Sequence, residues 1–170
     1  MSLIRREQPQ DVTEIRRVNV RAFGRDQEAS VVDKLRKDCN SILSLVAFTD
    51  GKVVGHILFS PVVVEGKHGR LVGTGLAPLA VLPEYQRKGI GTQLMQMGIS
   101  RIKEGGCPYI IVIGEPEYYT RFGFEQAGRF GISCEWNVPY ETFMILILDR
   151  KAVNGITGVA RYRQELAEAM

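Results

Sequence analysis

The residues best placed to do chemistry lie in Gln86-Arg87-Lys88-Gly89-Ile90-Gly91-Thr92, which follows the apolar run Leu79-Ala80-Val81-Leu82. Glycines at this spacing let the backbone turn tightly with no side chain in the way. If a helix opens there, its first amides and its dipole favour an anion, above all a phosphate. Arg87 and Lys88 add positive charge beside that spot. The same pattern also describes an ordinary tight turn, so the loop by itself leaves both readings open. A second cluster, Tyr118-Tyr119-Thr120-Arg121-Phe122-Gly123-Phe124, offers a phenol that can give up a proton. Glu115 stands just before it, and Glu135-Trp136 further on.

Composition narrows the setting. The chain has 170 residues, 45% hydrophobic and 24% charged, with a net charge of +3 and a mean hydropathy of −0.05. That is an ordinary globular composition, long enough for one domain with a real core. The mild basicity fits a solvated surface or a local patch for a polyanionic cofactor, while nucleic acid calls for a denser Lys/Arg stripe. Cys39, Cys107 and Cys134 are odd in number and form no Cys-x-x-Cys, so a reducing, cytoplasmic setting is expected rather than a disulfide framework. His56 and His68 have no acidic or cysteine partner at metal spacing, and no metal is expected. No apolar run approaches the ~20 residues of a membrane span, and the first residues carry no signal-type apolar segment.

Strands and helices on either side of these segments hold them in place. Leu3 to Arg6 is a strand, and a helix starts at Asp11, with Val12, Ile15, Val18 and Ala22 on one face and Gly24 as its stop. A second helix covers Gln27 to Lys37. Ser44 to Thr49 and Lys52 to Val64 form a hairpin around Asp50-Gly51. Leu71 to Leu82 is a long strand interrupted near Gly75-Leu76-Ala77-Pro78, where Pro78 predicts a bulge or an open edge, with a simple strand break as the other reading. Ile90 to Lys103 is a helix in which Gly98 marks close packing and Met95 and Met97 fill core. Tyr109 to Ile113 is a continuously apolar, central strand, Pro116 to Phe122 a short helix, and Phe143 to Leu148 a late strand. Gly131 to Tyr140 reads as irregular; Gly155 to Tyr162 as an extra strand and Gln164 to Met170 as a terminal helix. No repeat or linker divides the chain, so a single domain, 1–170, is expected, with a core of about 3–148 and an extension at 151–170.

Gln86 to Gly91 after Leu79-Ala80-Val81 resembles the pyrophosphate loop of the GCN5-related N-acetyltransferases, the GNAT superfamily, and Tyr119 to Phe124 matches that family's Tyr-x-x-x-Gly-Phe. The wider phrases Pro78 to Gln86 and Tyr118 to Phe124 are similar to a bacterial branch of predicted acetyltransferases. The resemblance covers roughly Leu3 to Leu148. It implies an α/β fold of the α+β kind: a mixed, mostly antiparallel sheet flanked by helices, with strands four and five splayed apart. It also implies acetyl-coenzyme A as co-substrate, with no metal, and transfer of its acetyl group to a primary amine by direct attack. A small-molecule amine is the expected acceptor and a peptide or protein amine the alternative.

The resemblance assigns cofactor binding to Leu79, Ala80 and Val81 on the strand edge, to Gln86, Arg87, Lys88, Gly89, Ile90, Gly91 and Thr92 in the loop, and to Tyr119 and Phe122. It makes Tyr119 the general acid, against the alternative that it only packs on the cofactor, and the Val81 N–H the donor facing the thioester oxygen. Many family members carry an asparagine near the end of strand five; here Ile113-Gly114-Glu115-Pro116 lacks it, and Gly114 backbone or Arg121 is expected to share its role. The family's base varies. Glu115 is the candidate by position, with N-capping of the next helix as its other reading; Glu28 is a weaker candidate, and ordered water would replace either. Trp136 reads as core or as acceptor-pocket wall. A non-catalytic acyl-coenzyme A-binding module is the alternative function. A P-loop is disfavoured, since no Gly-Lys-Ser/Thr follows Gly91. A homodimer is compatible with the sequence.

Overall fold

The computed structural model describes residues 2–170. It is a mixed, mostly antiparallel sheet flanked by helices, as expected, and the chain packs as two compact units. The first comprises the residues up to Ser60, Ala77–Gly98 and Gln164–Met170; the second comprises Pro61–Leu76 and Ile99–Arg163. The long strands β3 (Lys52–Gly66) and β4 (Gly69–Val81) and helix α3 (Ile90–Glu104) contribute to both.

In the first unit, β1 (Leu3–Arg6), β2 (Leu43–Thr49) and the start of β3 pair antiparallel. The β2–β3 turn uses Asp50 and Gly51, both with positive φ, as an Asp-Gly hairpin requires. Helices α1 (Val12–Phe23) and α2 (Gln27–Asp38) carry the expected apolar faces: Ile15, Val18, Val31, Val32 and Leu35 are all buried. Gly24 closes α1 in the left-handed conformation. The first turns of α3 pack on β3, where a Cβ on Gly98 would lie 2.5 Å from the Phe59 ring, so the predicted close approach is present. Met95 is fully buried and Met97 partly so. The C-terminal segment Gln164–Ala169 is 3-10 rather than α-helical and is tied to α2 through Lys34–Glu168 and to the connection before α2 through an Arg25 bond to the Ala169 carbonyl.

The second unit is built on β5 (Tyr109–Ile113). It pairs parallel with β4 at Thr74↔Ile110 and Gly75↔Ile111, the extent of that ladder among the described residues. On its other side it pairs antiparallel with β8 (Phe143–Ile147), which also pairs with the short β6 (Glu125–Gln126). The predicted extra strand is β9 (Gly158–Tyr162), paired with the end of β3. The reading of Gly131 to Tyr140 as irregular needs correction: β7 (Ile132–Cys134) runs there, parallel to β9. Its three residues have no local pattern of their own and are held by the long-range ladder. The expected interruption of β4 is absent, because the strand continues through Pro78, with a cis peptide before it. The core of this unit centres on Tyr109, Ile111, Phe143 and Ile145. The Tyr109 hydroxyl reaches the carbonyls of Val62 (2.9 Å) and Leu71 (2.7 Å) and accepts from the Val64 N–H, tying three separate stretches together.

Candidate functional site

The glycine loop is held from below and from both sides. Pro83–Tyr85 is a 3-10 turn whose Glu84 takes a bidentate bond from Arg21 of α1, at 2.5 and 2.8 Å. That guanidinium holds the Glu84 carboxyl down at about 2, helped by a local backbone bond. The Tyr85 hydroxyl donates to Asp50 at the hairpin, and Lys52 and Lys88 lie over its ring at 5.3 and 5.4 Å. Gln86 Nε2 donates to the Val81 carbonyl at 3.0 Å, fastening the loop to the end of β4. So part of the Gln86 side chain is occupied in closing the loop.

Within the loop Arg87 has φ +62° and Gly89 φ +83°. These left-handed residues turn the chain into α3, whose first intrahelical bond runs from Gln93 N to Gly89 O at 3.0 Å. The Ile90 and Gly91 amides therefore precede the helical ladder and present the positive end of a 15-residue helix. Arg87, Lys88 and Gly89 are exposed, Ile90 is buried beneath them, and nothing lies within 4 Å of a Cβ built on Gly89. The loop is open, basic and rich in aimed amides, which fits a pyrophosphate.

The strand leading into it has a defined polarity. Leu82 N donates to Val54 O on β3. Alternation along the extended chain then turns the backbone groups of Val81, and by period two those of Leu79, away from β3. Ala80 is buried, whereas Leu79 and Val81 are partly exposed.

In the second unit, α4 (Pro116–Tyr119) and the 3-10 turn Thr120–Phe122 replace the single short helix expected from Pro116 to Phe122. The Tyr119 ring packs edge-on against Tyr118 (5.0 Å) and Phe124 (5.6 Å). A Cβ on Gly114 would sit 2.4 Å from its Cε2, so the ring rests directly on the glycine backbone. Burial first, and the neighbouring Tyr118 second, push the Tyr119 phenol well above its ordinary value. The Gly114 N–H donates to Thr142 O at 3.0 Å. A cofactor role for Gly114 is thereby narrowed to its carbonyl. Glu115 occupies the N-cap position with an exposed side chain that makes no capping bond; only its carbonyl serves, accepting from Tyr118 N and Tyr119 N. Arg121 is exposed and stacks over Tyr118 and Phe122 at 5.3 and 5.7 Å. Glu28, in the first unit, is bound by Arg25 at 2.5 Å. Trp136 stacks on Tyr162 at 4.8 Å, and Glu135 accepts the Tyr162 N–H at 2.7 Å.

A chain of buried and partly buried polar groups in the first unit has no counterpart in the sequence-based expectations. Arg36 binds Glu7, Ser44 Oγ donates to Glu7 at 2.6 Å, and His56 Nε2 lies 2.9 Å from Ser44 Oγ. Because the Ser44 proton is directed to Glu7, His56 donates from Nε2 and accepts at Nδ1 from Asn19 Nδ2, 3.1 Å away. Burial lowers the His56 pKa to about 4, against the pull of Glu7. No local motif announces this set, since its members are spread from residue 7 to residue 56. Among the described residues no group of His, Cys, Asp and Glu could hold a metal, and no helix is long and apolar enough to cross a membrane.

A family model, the acetyltransferase (GNAT) domain, matches residues 3–127. The chain belongs to the GNAT acetyltransferase family. It is 39% identical over 163 residues to the uncharacterized N-acetyltransferase YhbS of Escherichia coli K12, covering 95% of this chain and 96% of that one. The crystal structure of Escherichia coli YhbS in complex with CoA superposes with a TM-score of 0.91 at 38% identity, covering 98% of this chain and 92% of that one. A Brucella melitensis GNAT family acetyltransferase in complex with acetyl-CoA gives 0.81 at 34% identity, with 98% of both chains covered.

Proposed function

We propose that this protein is an acetyl-CoA-dependent N-acetyltransferase, a single domain over 1–170, acting on a primary amine of a small molecule. The observation that supports this most is the loop from Gln86 to Thr92, with its left-handed Arg87 and Gly89 ahead of α3. Relatives of similar length and fold are complexes with CoA and with acetyl-CoA.

Acetyl-CoA supplies a thioester that an amine can attack, releasing a thiol. The amides of Gly89 to Thr92, with Arg87 and Lys88, hold its pyrophosphate. Leu79 and Val81, whose backbone groups face away from β3, offer strand-edge hydrogen bonds to its amide arm with Ala80 between them, and the Val81 N–H faces the carbonyl oxygen, where one good donor contributes about 3 kcal/mol to the rate. Phe122, Arg121 and the Gly114 carbonyl are further proposed cofactor contacts. Tyr119 holds its proton at neutral pH because burial keeps the phenol high. Its proton serves the departing sulfur. A thiol near ~8.5 and a phenol near ~10 already make full transfer uphill by about 2 kcal/mol, and burial adds to that. Tyr119 therefore acts chiefly by hydrogen-bond donation as negative charge develops. Glu115 is the proposed base, its exposed carboxylate being open to an incoming ammonium.

The test is thiol release from acetyl-CoA with a panel of small amines, and with a lysine peptide, followed by mass spectrometry of the products. Acetylation of a small amine supports the reading. Acetylation of the peptide alone moves the acceptor to protein amines, and binding without release by any acceptor favours a non-catalytic module.

A further inference from the structure

The second unit contains a cavity of about 550 Å³ that none of the acetyl-transfer chemistry uses. It lies among α5 (Arg150–Val153), the turn that follows it, and the 3-10 segment Ala127–Phe130. Its size is within the range of small-molecule pockets. Phe130, Val153 and Ile156 give it an apolar floor, and Arg129, Arg150 and Lys151 stand at its edge. Among the described residues no carboxylate lines it.

The walls are well fixed. Asp149 caps α5 through a bond from Ala152 N, Ile156 N donates to Val153 O, and Gly158 N donates to Gly131 O. The cations, in contrast, are poorly neutralised. Arg129 and Arg150 approach the same carboxylate, Glu125, from opposite elements at 3.7 and 3.9 Å, beyond hydrogen-bond distance. Their side chains are 61% and 75% exposed. An exposed pair at such distances is weak, so both guanidinium forks keep donors for a better-placed acceptor.

The position is distinct from the candidate catalytic residues of the same unit. In the β5–β8 ladder Phe143 stands opposite Ile113, beside Gly114 and Tyr119, while Ile147 stands opposite Tyr109. Ile147 lines the cavity. Four residues of extended strand, about 13 Å, separate those ends.

We propose that this cavity binds a small organic carboxylate with an apolar body, its head between Arg129 and Arg150 and its tail on Phe130, Val153 and Ile156. The inference does not depend on the acetyl-transfer reading. It predicts discrimination by charge as well as by apolar contact, because an uncharged amide of the same shape loses the charge-assisted bonds.

The experiment is a titration of the ¹⁵N-labelled full chain with octanoate and, in parallel, with octanamide, followed by amide shifts. Octanoate is expected to give saturable shifts confined to residues 127–130 and 150–157, with affinity about tenfold or more above that of octanamide. Arg129→Gln with Arg150→Gln is expected to weaken octanoate by about tenfold or more while the remaining spectrum stays native. Ile156→Glu, which leaves both arginines in place, is expected to weaken both probes. Equal affinity for the two probes, shifts confined to other residues, no saturation, or unchanged octanoate affinity in the double arginine variant would each overturn the proposal.

Discussion

The contact between Gly114 and the Tyr119 ring offers a way to separate a catalytic phenol from a packing one. A methyl group at position 114 would start 2.4 Å from Tyr119 Cε2, where an ordinary contact begins at 3.4 Å. Gly114→Ala therefore forces the ring back by roughly 1 Å, the displacement at which a positioned group loses on the order of 10²-fold in rate. That factor corresponds to about 2.7 kcal/mol of barrier. Tyr119→Phe, which keeps the ring and removes the proton, is expected to lower kcat by about 10²–10⁴-fold with acetyl-CoA affinity nearly unchanged. The pair should be strongly non-additive: added to Tyr119→Phe, Gly114→Ala is expected to cost only a few-fold, since the proton it misplaces is already gone. The assay is steady-state thiol release for the four proteins, with acetyl-CoA affinity by calorimetry and urea unfolding to register the overpacking cost of about 1–3 kcal/mol. Full additivity of the losses, or wild-type kcat in Tyr119→Phe, would refute the assignment of Tyr119 as proton donor.

Further expectations rest on other parts of the structure. Gly89→Ala places a Cβ on a left-handed residue with open space around it, so its cost is conformational, about 1–2 kcal/mol, and calorimetry should show acetyl-CoA binding weakened by roughly 5–30-fold. His56, whose folded pKa is about 4, is neutral in the fold, whereas the unfolded imidazole titrates near ~6.5. Its contribution is whole above the unfolded pKa and is lost as pH falls from there toward the folded value. Lowering pH from 7.5 to 5.0 should cost about 2 kcal/mol in urea unfolding, since about 1.5 pH units of that window are crossed. Glu7 does not mask this, because Arg36 and Ser44, outweighing its burial, hold its pKa below the usual range. In His56→Gln this pH dependence should flatten. Tyr109→Phe leaves the carbonyls of Val62 and Leu71 and the Val64 N–H without their shared hydroxyl, and should lower unfolding stability by about 1–3 kcal/mol with acetyl-CoA affinity unaltered.

The parts of the fold that local chemistry dictates were legible. Asp50-Gly51, the Gly24 stop, the apolar faces of α1 and α2 and the unbroken run Tyr109 to Ile113 each act within a few residues, and each stands where expected. The glycine loop was legible for the same reason. The parts that depend on distant partners were not. β7 is held by its ladder with β9, and β4 continues through Pro78 although proline ordinarily marks a break. The Glu7–Ser44–His56–Asn19 chain joins three separate elements and the loop after β1, so no spacing rule reveals it. At the site, Gln86 and Gly114 carry hydrogen bonds to Val81 and Thr142 that their sequence contexts do not betray.

In the proposed reaction the loop from Gln86 to Thr92 binds the pyrophosphate of acetyl-CoA. Calorimetric titration of the wild-type chain with acetyl-CoA, beside Gly89→Val, tests it directly. Saturable one-to-one binding by the wild type, weakened severalfold or more in a variant that retains its fold, is the predicted result. No binding by the wild type, or equal binding by both, would contradict it.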